Sequence, residues 1–167
     1  MLKRIISELI GIIVVIAVVV LAINYGVIVA ERYFSSAKFC TSCHSMSYAY
    51  EALQKSAHYG PKGINPECRD CHFPPEFHKK IIVHVVTGLK DTISEINIGL
   101  TKESYEKRKD ELGAKARADI KAWNSSPCRA CHKSPAPNSE FGKAAHAKLQ
   151  AGEATCVDCH QGQGLFH

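Results

Sequence analysis

The chain has 167 residues and a formal charge of +5, enough for one domain, yet its apolar residues crowd into the first thirty. From residue 31 onward only short apolar runs such as 81–86 remain, which excludes an ordinary aliphatic core for that part. A small extracytoplasmic domain of this kind is held together by covalent or coordinate staples, and the eight cysteines are the available supply.

Lys3 and Arg4 precede an apolar run over 9–30 that is interrupted only by Gly11, Asn24, Tyr25 and Gly26. A run of that length spans a bilayer, so it reads as one transmembrane helix. The alternative is a cleaved secretory signal, whose apolar region is roughly 7–15 residues and ends in a small-x-small site. This run is longer and no such site follows. Lys3 and Arg4 favour a cytoplasmic N-terminus, a bias weakened by Arg32 and Lys38 on the far side.

Every cysteine after the anchor falls in a C-x-x-C-H motif: Cys40-Thr-Ser-Cys43-His44, Cys68-Arg-Asp-Cys71-His72, Cys128-Arg-Ala-Cys131-His132 and Cys156-Val-Asp-Cys159-His160. This is the signature of covalent haem c. Two thiols fix the porphyrin edge and the adjacent histidine is placed to reach the iron, as His44, His72, His132 and His160 all are. A zinc ribbon also pairs C-x-x-C knuckles, but has no reason to follow each with histidine. Disulfides leave the histidines equally unexplained. Four haems would supply the missing core, and their propionates would offset the positive charge, so nucleic acid is not an expected partner. Their covalent attachment outside the cytoplasm sets the expected orientation: a single pass through the bacterial inner membrane, with the C-terminal haem domain in the periplasm.

An offset of 88 residues carries Cys40, Cys43, His44, His58, Cys68, Asp70, Cys71 and His72 onto Cys128, Cys131, His132, His146, Cys156, Asp158, Cys159 and His160. The chain therefore holds two dihaem halves. Lys55-Ser-Ala-His58 and Lys143-Ala-Ala-His146 occupy matching places, which makes His58 and His146 the leading distal ligands, since electron-transfer haems have both axial positions filled. The bland reading of each is a surface histidine on an amphipathic helix. Met46 breaks the repeat, its counterpart being Ser134. It is either packing material or an axial thioether beside the first haem, and residue type does not choose between them.

Between the halves, Phe73-Pro74-Pro75 closes the second motif. The stretch 77–89 then runs apolar with His78, Lys79, Lys80 and His84 interspersed, the pattern of a helix lying at a membrane interface. A second helix is expected over 101–123, with Tyr105, Leu112, Ala116, Ile120 and Trp123 on one stripe. Glu103, Lys107, Glu111 and Lys115 form i,i+4 pairs on its opposite face. Ser125-Ser126-Pro127 stops it. The expected fold is mainly α with no sheet: an anchor over 1–34, a first dihaem half over 35–78, a helical connector over 79–124 and a second dihaem half over 125–167.

These motifs resemble the NapC/NirT/NrfH family of membrane-anchored multihaem quinol dehydrogenases. The likeness rests on the anchor, Cys40-Thr-Ser-Cys43-His44-Ser-Met46, Ser56-Ala-His58-Tyr59 leading to Cys68-Arg-Asp-Cys71-His72-Phe-Pro74, and Ala144-Ala-His146 leading to the fourth motif. The resemblance implies that Met46 replaces His44 on the first iron. It further implies His72 with His146 on the second haem, His160 with His58 on the fourth, and His132 with a histidine after the last motif on the third. Here that histidine is His167, seven residues beyond His160 where the family has five; His78, six beyond His72, is the substitute.

The resemblance also points to Asp91, in Gly88-Leu-Lys90-Asp91, as an acidic residue beside the first haem, with His84 and Lys90 completing a quinol site. Without it, Asp91 reads as a helix-surface carboxylate. The implied function is oxidation of menaquinol or ubiquinol and delivery of electrons through four haem c groups to a periplasmic multihaem or molybdenum reductase, as in nitrite or nitrate respiration, in an expected hetero-oligomer. The rival is a relay cytochrome fed by a separate quinol-oxidising subunit. A terminal reductase ranks last, because the chain has enough ligands to close nearly every iron.

Overall fold

The computed structural model describes residues 1–61, 63–98 and 101–161; the side chains of His44 and Ile98, and His167 with them, lie outside that set. The chain divides into two units, Met1–Phe34 and Ser35–His167. No strand occurs among the described residues.

The first unit is one helix, α1 (Leu2–Phe34). Its 33 residues rise about 50 Å, against roughly 30 Å of hydrocarbon in a bilayer. Its polar residues are satisfied locally, Arg4 by Glu8 at 3.1 Å and the Asn24 amide by the Val20 carbonyl at 2.8 Å. An unbonded amide would oppose insertion, so the second bond matters for a helix that crosses lipid.

In the second unit the motifs themselves make the short helices. These are α2 (Ala37–Cys40), α4 (Cys68–His72), α7 (Ser126–Cys131) and α9 (Cys156–Cys159), with α3 (His44–Leu53) and α8 (Glu140–Gln150) carrying the chain onward. One helical turn sets the cysteines of C-x-x-C on one face, as i and i+3. The first motif differs: Cys40 ends α2 and Cys43 caps α3, so its cysteines straddle a break.

Two long helices, α5 (Phe77–Ile98) and α6 (Lys102–Ala122), form an antiparallel pair, with Asp91 against Lys115 and Ile82 and Val86 near Asp119 and Trp123. α6 is the spine on which α3, α4 and α9 pack. The expected stripe faces inward, Ile120 buried and Tyr105, Leu112, Ala116 and Trp123 half-buried. On the outer face Lys107 pairs with Glu103 at 2.7 Å, but Lys115 crosses to α5 instead of meeting Glu111.

The two halves are stapled in matching ways. In the first, the Ala37 N–H opening α2 donates to the Glu67 carboxylate that caps α4, at 2.5 Å. In the second, the Cys156 N–H opening α9 donates at 3.1 Å to the buried hydroxyl of Ser125, which caps α7. Each staple brings two motif helices together at their N-terminal ends.

α9 is tied to α6 by Asp158, which accepts from Lys121 at 2.5 Å and from the Thr155 N–H at 2.8 Å. The lysine bond first, then the bonds from Thr155, hold the carboxyl down at about 2. A folded value below the unfolded one means that this stabilisation is complete above about pH 4 and is lost as pH falls towards 2. Asp158→Asn is expected to remove that component, so an acid titration followed by Soret circular dichroism should diverge from wild type only in that window.

Candidate functional site

Among the described residues, Leu53, Ile120 and Val157 are the buried hydrophobic side chains. Three side chains cannot hold a unit of this size together, so the cohesive apolar surface has to come from a bound group. The cysteines are arranged to supply its attachment. Cys40 hydrogen-bonds Cys68, which lowers the first thiol and raises the second. Cys71 is raised by burial and then by the charges of Asp70 and Cys131. Cys128 is pushed up to about 11 by burial and then by Cys156 and Cys71. The first motif thus meets the second through Cys40 and Cys68, the third meets the fourth through Cys128 and Cys156, and Cys71 of the second lies within electrostatic reach of Cys128 and Cys131 of the third. α4 packs directly on α7 to make the middle junction.

The histidines pair across this array. The rings of His58 and His132 have centroids 6.1 Å apart, and those of His146 and His160 are 6.2 Å apart. These ring contacts differ from the ligand pairs that the family resemblance implies, His160 with His58 and His72 with His146. The repeat made His58 and His146 equivalent, but their surroundings are not. With α4 against α7, the segment after α3 lies beside the third motif, whereas α8 leads straight into the fourth.

Both distal candidates are aimed by close backbone approaches. A Cβ on Gly63 would fall 2.3 Å from the His58 carbonyl oxygen, which also accepts from the Asn65 N–H at 3.1 Å. A Cβ on Gly142 would fall 2.7 Å from Pro137, and the same segment brings the Pro135 carbonyl to His146 Nδ1 at 3.3 Å. A bond at Nδ1 leaves Nε2 as the metal-binding nitrogen. Gly63→Ala is expected to displace the His58 loop and to cost roughly 1–3 kcal/mol by overpacking. Guanidinium unfolding of the holoprotein followed at the Soret band measures it.

Met46 lies in the first turn of α3 and is 37% exposed, so its thioether is accessible. Its neighbour Ser45 is only 5% exposed and its hydroxyl has no hydrogen-bond partner among the described residues. A buried unbonded hydroxyl costs about 1–3 kcal/mol, so this atom fits a site where a bound group supplies the bond. Taken together, paired thiols, paired imidazoles, an orphaned hydroxyl and a missing core fit covalent haem.

On α5, His84, Asp91 and Glu95 share one half-buried face. Asp91 Oδ1 is held by Lys115 Nζ at 3.2 Å. His84 stacks on Phe73 at 4.8 Å, which sets it beside the end of the second motif. Lys90 is exposed, about 100° around the helix from Asp91. His78, in the first turn of α5, is exposed. Two residues of this region escaped the sequence reading. Lys115 reads as part of a solvated charge run, and Glu95, whose Oε2 is buried without a partner among the described residues, is detectable only as the continuation of the His84 and Asp91 stripe.

The sequence model of the NapC/NirT cytochrome c family, N-terminal region, matches residues 3–167. A probable tetraheme cytochrome c-type protein of Nitrosomonas europaea is 41% identical over 86% of this chain, which spans 62% of that relative's length. A putative tetraheme cytochrome-c type protein of Allochromatium vinosum is 30% identical over 87% of this chain and 79% of its own. Among solved structures, a crystal structure of the cytochrome c nitrite reductase NrfHA complex bound to the HQNO inhibitor matches with a TM-score of 0.50. The match has 23% identity and covers 87% of this chain and 84% of that one, a likeness of fold.

Proposed function

Because this chain belongs to the NapC/NirT cytochrome c family, anchored by one transmembrane helix and carrying covalent haem c for electron transfer, we propose that it oxidises a membrane quinol and delivers the electrons to a periplasmic reductase. The observation that carries the electron-transfer half is the unbroken succession of motif contacts from Cys40 and Cys68 through Cys71 and Cys131 to Cys128 and Cys156. Neighbouring motifs would hold haem c groups as neighbours, an arrangement that favours outer-sphere transfer. Haem c supplies one-electron acceptors at each motif.

The ligand reading follows the geometry. An imidazole nitrogen binds a transition metal at about 2 Å, so two imidazoles facing across one ion have ring centres about 6 Å apart. That separation supports His58 with His132 on the third haem and His146 with His160 on the fourth. The remaining distal candidates, His167 and His78, then fall to the second haem with His72, and Met46 to the first.

Quinol oxidation releases two electrons and two protons, so the site needs proton acceptors as well as the electron wire. Asp91 is assigned as the first base. Lys115 orients it through Oδ1, and Oδ2 is not part of that pair. His84, two turns away on the same face, takes the second proton, and Lys90 is left at the rim. Reduction of the holoprotein in proteoliposomes by a water-insoluble menaquinol analogue, followed by stopped flow, tests the reading. Haem reduction without any other protein is expected. Reduction only after a separate quinol-oxidising membrane protein is added would make the chain a relay and defeat the proposal.

A further inference from the structure

α5 has two faces of opposite character. At about 100° per residue, Ile82, Val85, Val86, Leu89, Ile93 and Ile96 fall in one strip roughly 100° wide. All are exposed, from 49% at Val86 to 76% at Ile96, with Ile82 and Val86 also bordering a groove shared with Asp119 and Trp123 of α6. Diametrically opposite stand His84, Asp91 and Glu95. The strip runs about 20 Å along the helix, carries no aromatic or polar side chain, and has Lys79 and Lys90 exposed along one edge.

A contiguous aliphatic strip of that length marks a contact surface. A protein partner would be met by aromatic and arginine anchors within a polar rim, and this strip has neither. Aliphatic residues on one side with lysines at the border are the composition of a helix lying in the membrane interface, where lysine reaches the anionic headgroups. The same chain carries α1, which crosses the membrane, and the second unit begins at the very next residue, Ser35. The unit that contains α5 is therefore tethered to a membrane-spanning helix.

We propose that α5 is a second membrane contact of this chain, an interfacial helix whose 82–96 aliphatic strip is sunk among the acyl chains of the bilayer. His84, Asp91 and Glu95 then sit on the face of the helix turned towards the protein. The contact stands independently of quinol oxidation, because a relay cytochrome with the same strip would make it too.

The test is photolabelling of the full-length holoprotein in vesicles of phosphatidylcholine and phosphatidylglycerol, one lipid bearing a diazirine on its acyl chain, with adducts mapped by peptide mass spectrometry. Adducts are expected on the 82–96 peptides as well as on α1, and absent from the outer face of α6 around Glu103 and Lys107. The double variant Leu89→Asp, Ile93→Asp should lose the α5 adducts and keep those on α1. Labelling confined to α1 overturns the proposal, whether hydroxyl-radical footprinting then finds 82–96 open to water or covered by protein. Quinol reduction measured on the same vesicles reports separately on the donor.

Discussion

His58→Ala is expected to strip a ligand from the third haem and leave the fourth untouched. The prediction rests on the 6.1 Å separation of His58 from His132 and is large, because a haem that loses an axial imidazole changes spin state and potential outright. Low-temperature EPR of the oxidised protein separates the low-spin haems by their g values. His58→Ala and His132→Ala should abolish the same signal, and His146→Ala and His160→Ala a different one. Should His58→Ala instead share its lost signal with His160→Ala, the expectation drawn from the family resemblance would be restored and the geometric pairing would fall.

That pairing shows where the sequence stops being readable. The four motifs, the offset of 88 and the helical connector are local facts: thioether attachment needs two thiols at one spacing, and a helix writes its period into any twenty residues. The choice of distal ligand is a fact about space. His146 and His160 are fourteen residues apart, and so are His58 and His72; by symmetry alone each half would close on itself. The structure keeps the first arrangement and breaks the second. α4 lies on α7, and the loop locked by Gly63 and Asn65 turns His58 towards the third motif. On the proposed pairing one half lends a histidine to the other. Nothing in a one-dimensional repeat encodes that exchange.

The same distinction separates Asp91 from its surroundings. Its place in the helix was legible, and its partner was not, because Lys115 lies 24 residues away and its own i,i+4 partner, Glu111, offered a local explanation. Bringing α5 and α6 together antiparallel makes the cross-helix pair available. A lysine held at 3.2 Å fixes the direction of the carboxylate, which is what a positioned base needs.

Asp91→Asn is accordingly expected to lower the rate of haem reduction by quinol by roughly 10²–10⁴-fold, the usual worth of a positioned general base. Asparagine preserves the size and still offers an oxygen to Lys115, so packing is retained while proton acceptance is lost. Reduction by dithionite, which delivers electrons without protons to be collected, should proceed as in wild type and so separates loss of the base from damage to the wire. Lys115→Met removes the orienting charge and leaves the carboxylate. It should fall between wild type and Asp91→Asn, with part of its deficit recovered by Lys115→Arg. If Asp91→Asn reduces as fast as wild type, proton removal does not pass through Asp91, and His84 is left as the base on α5.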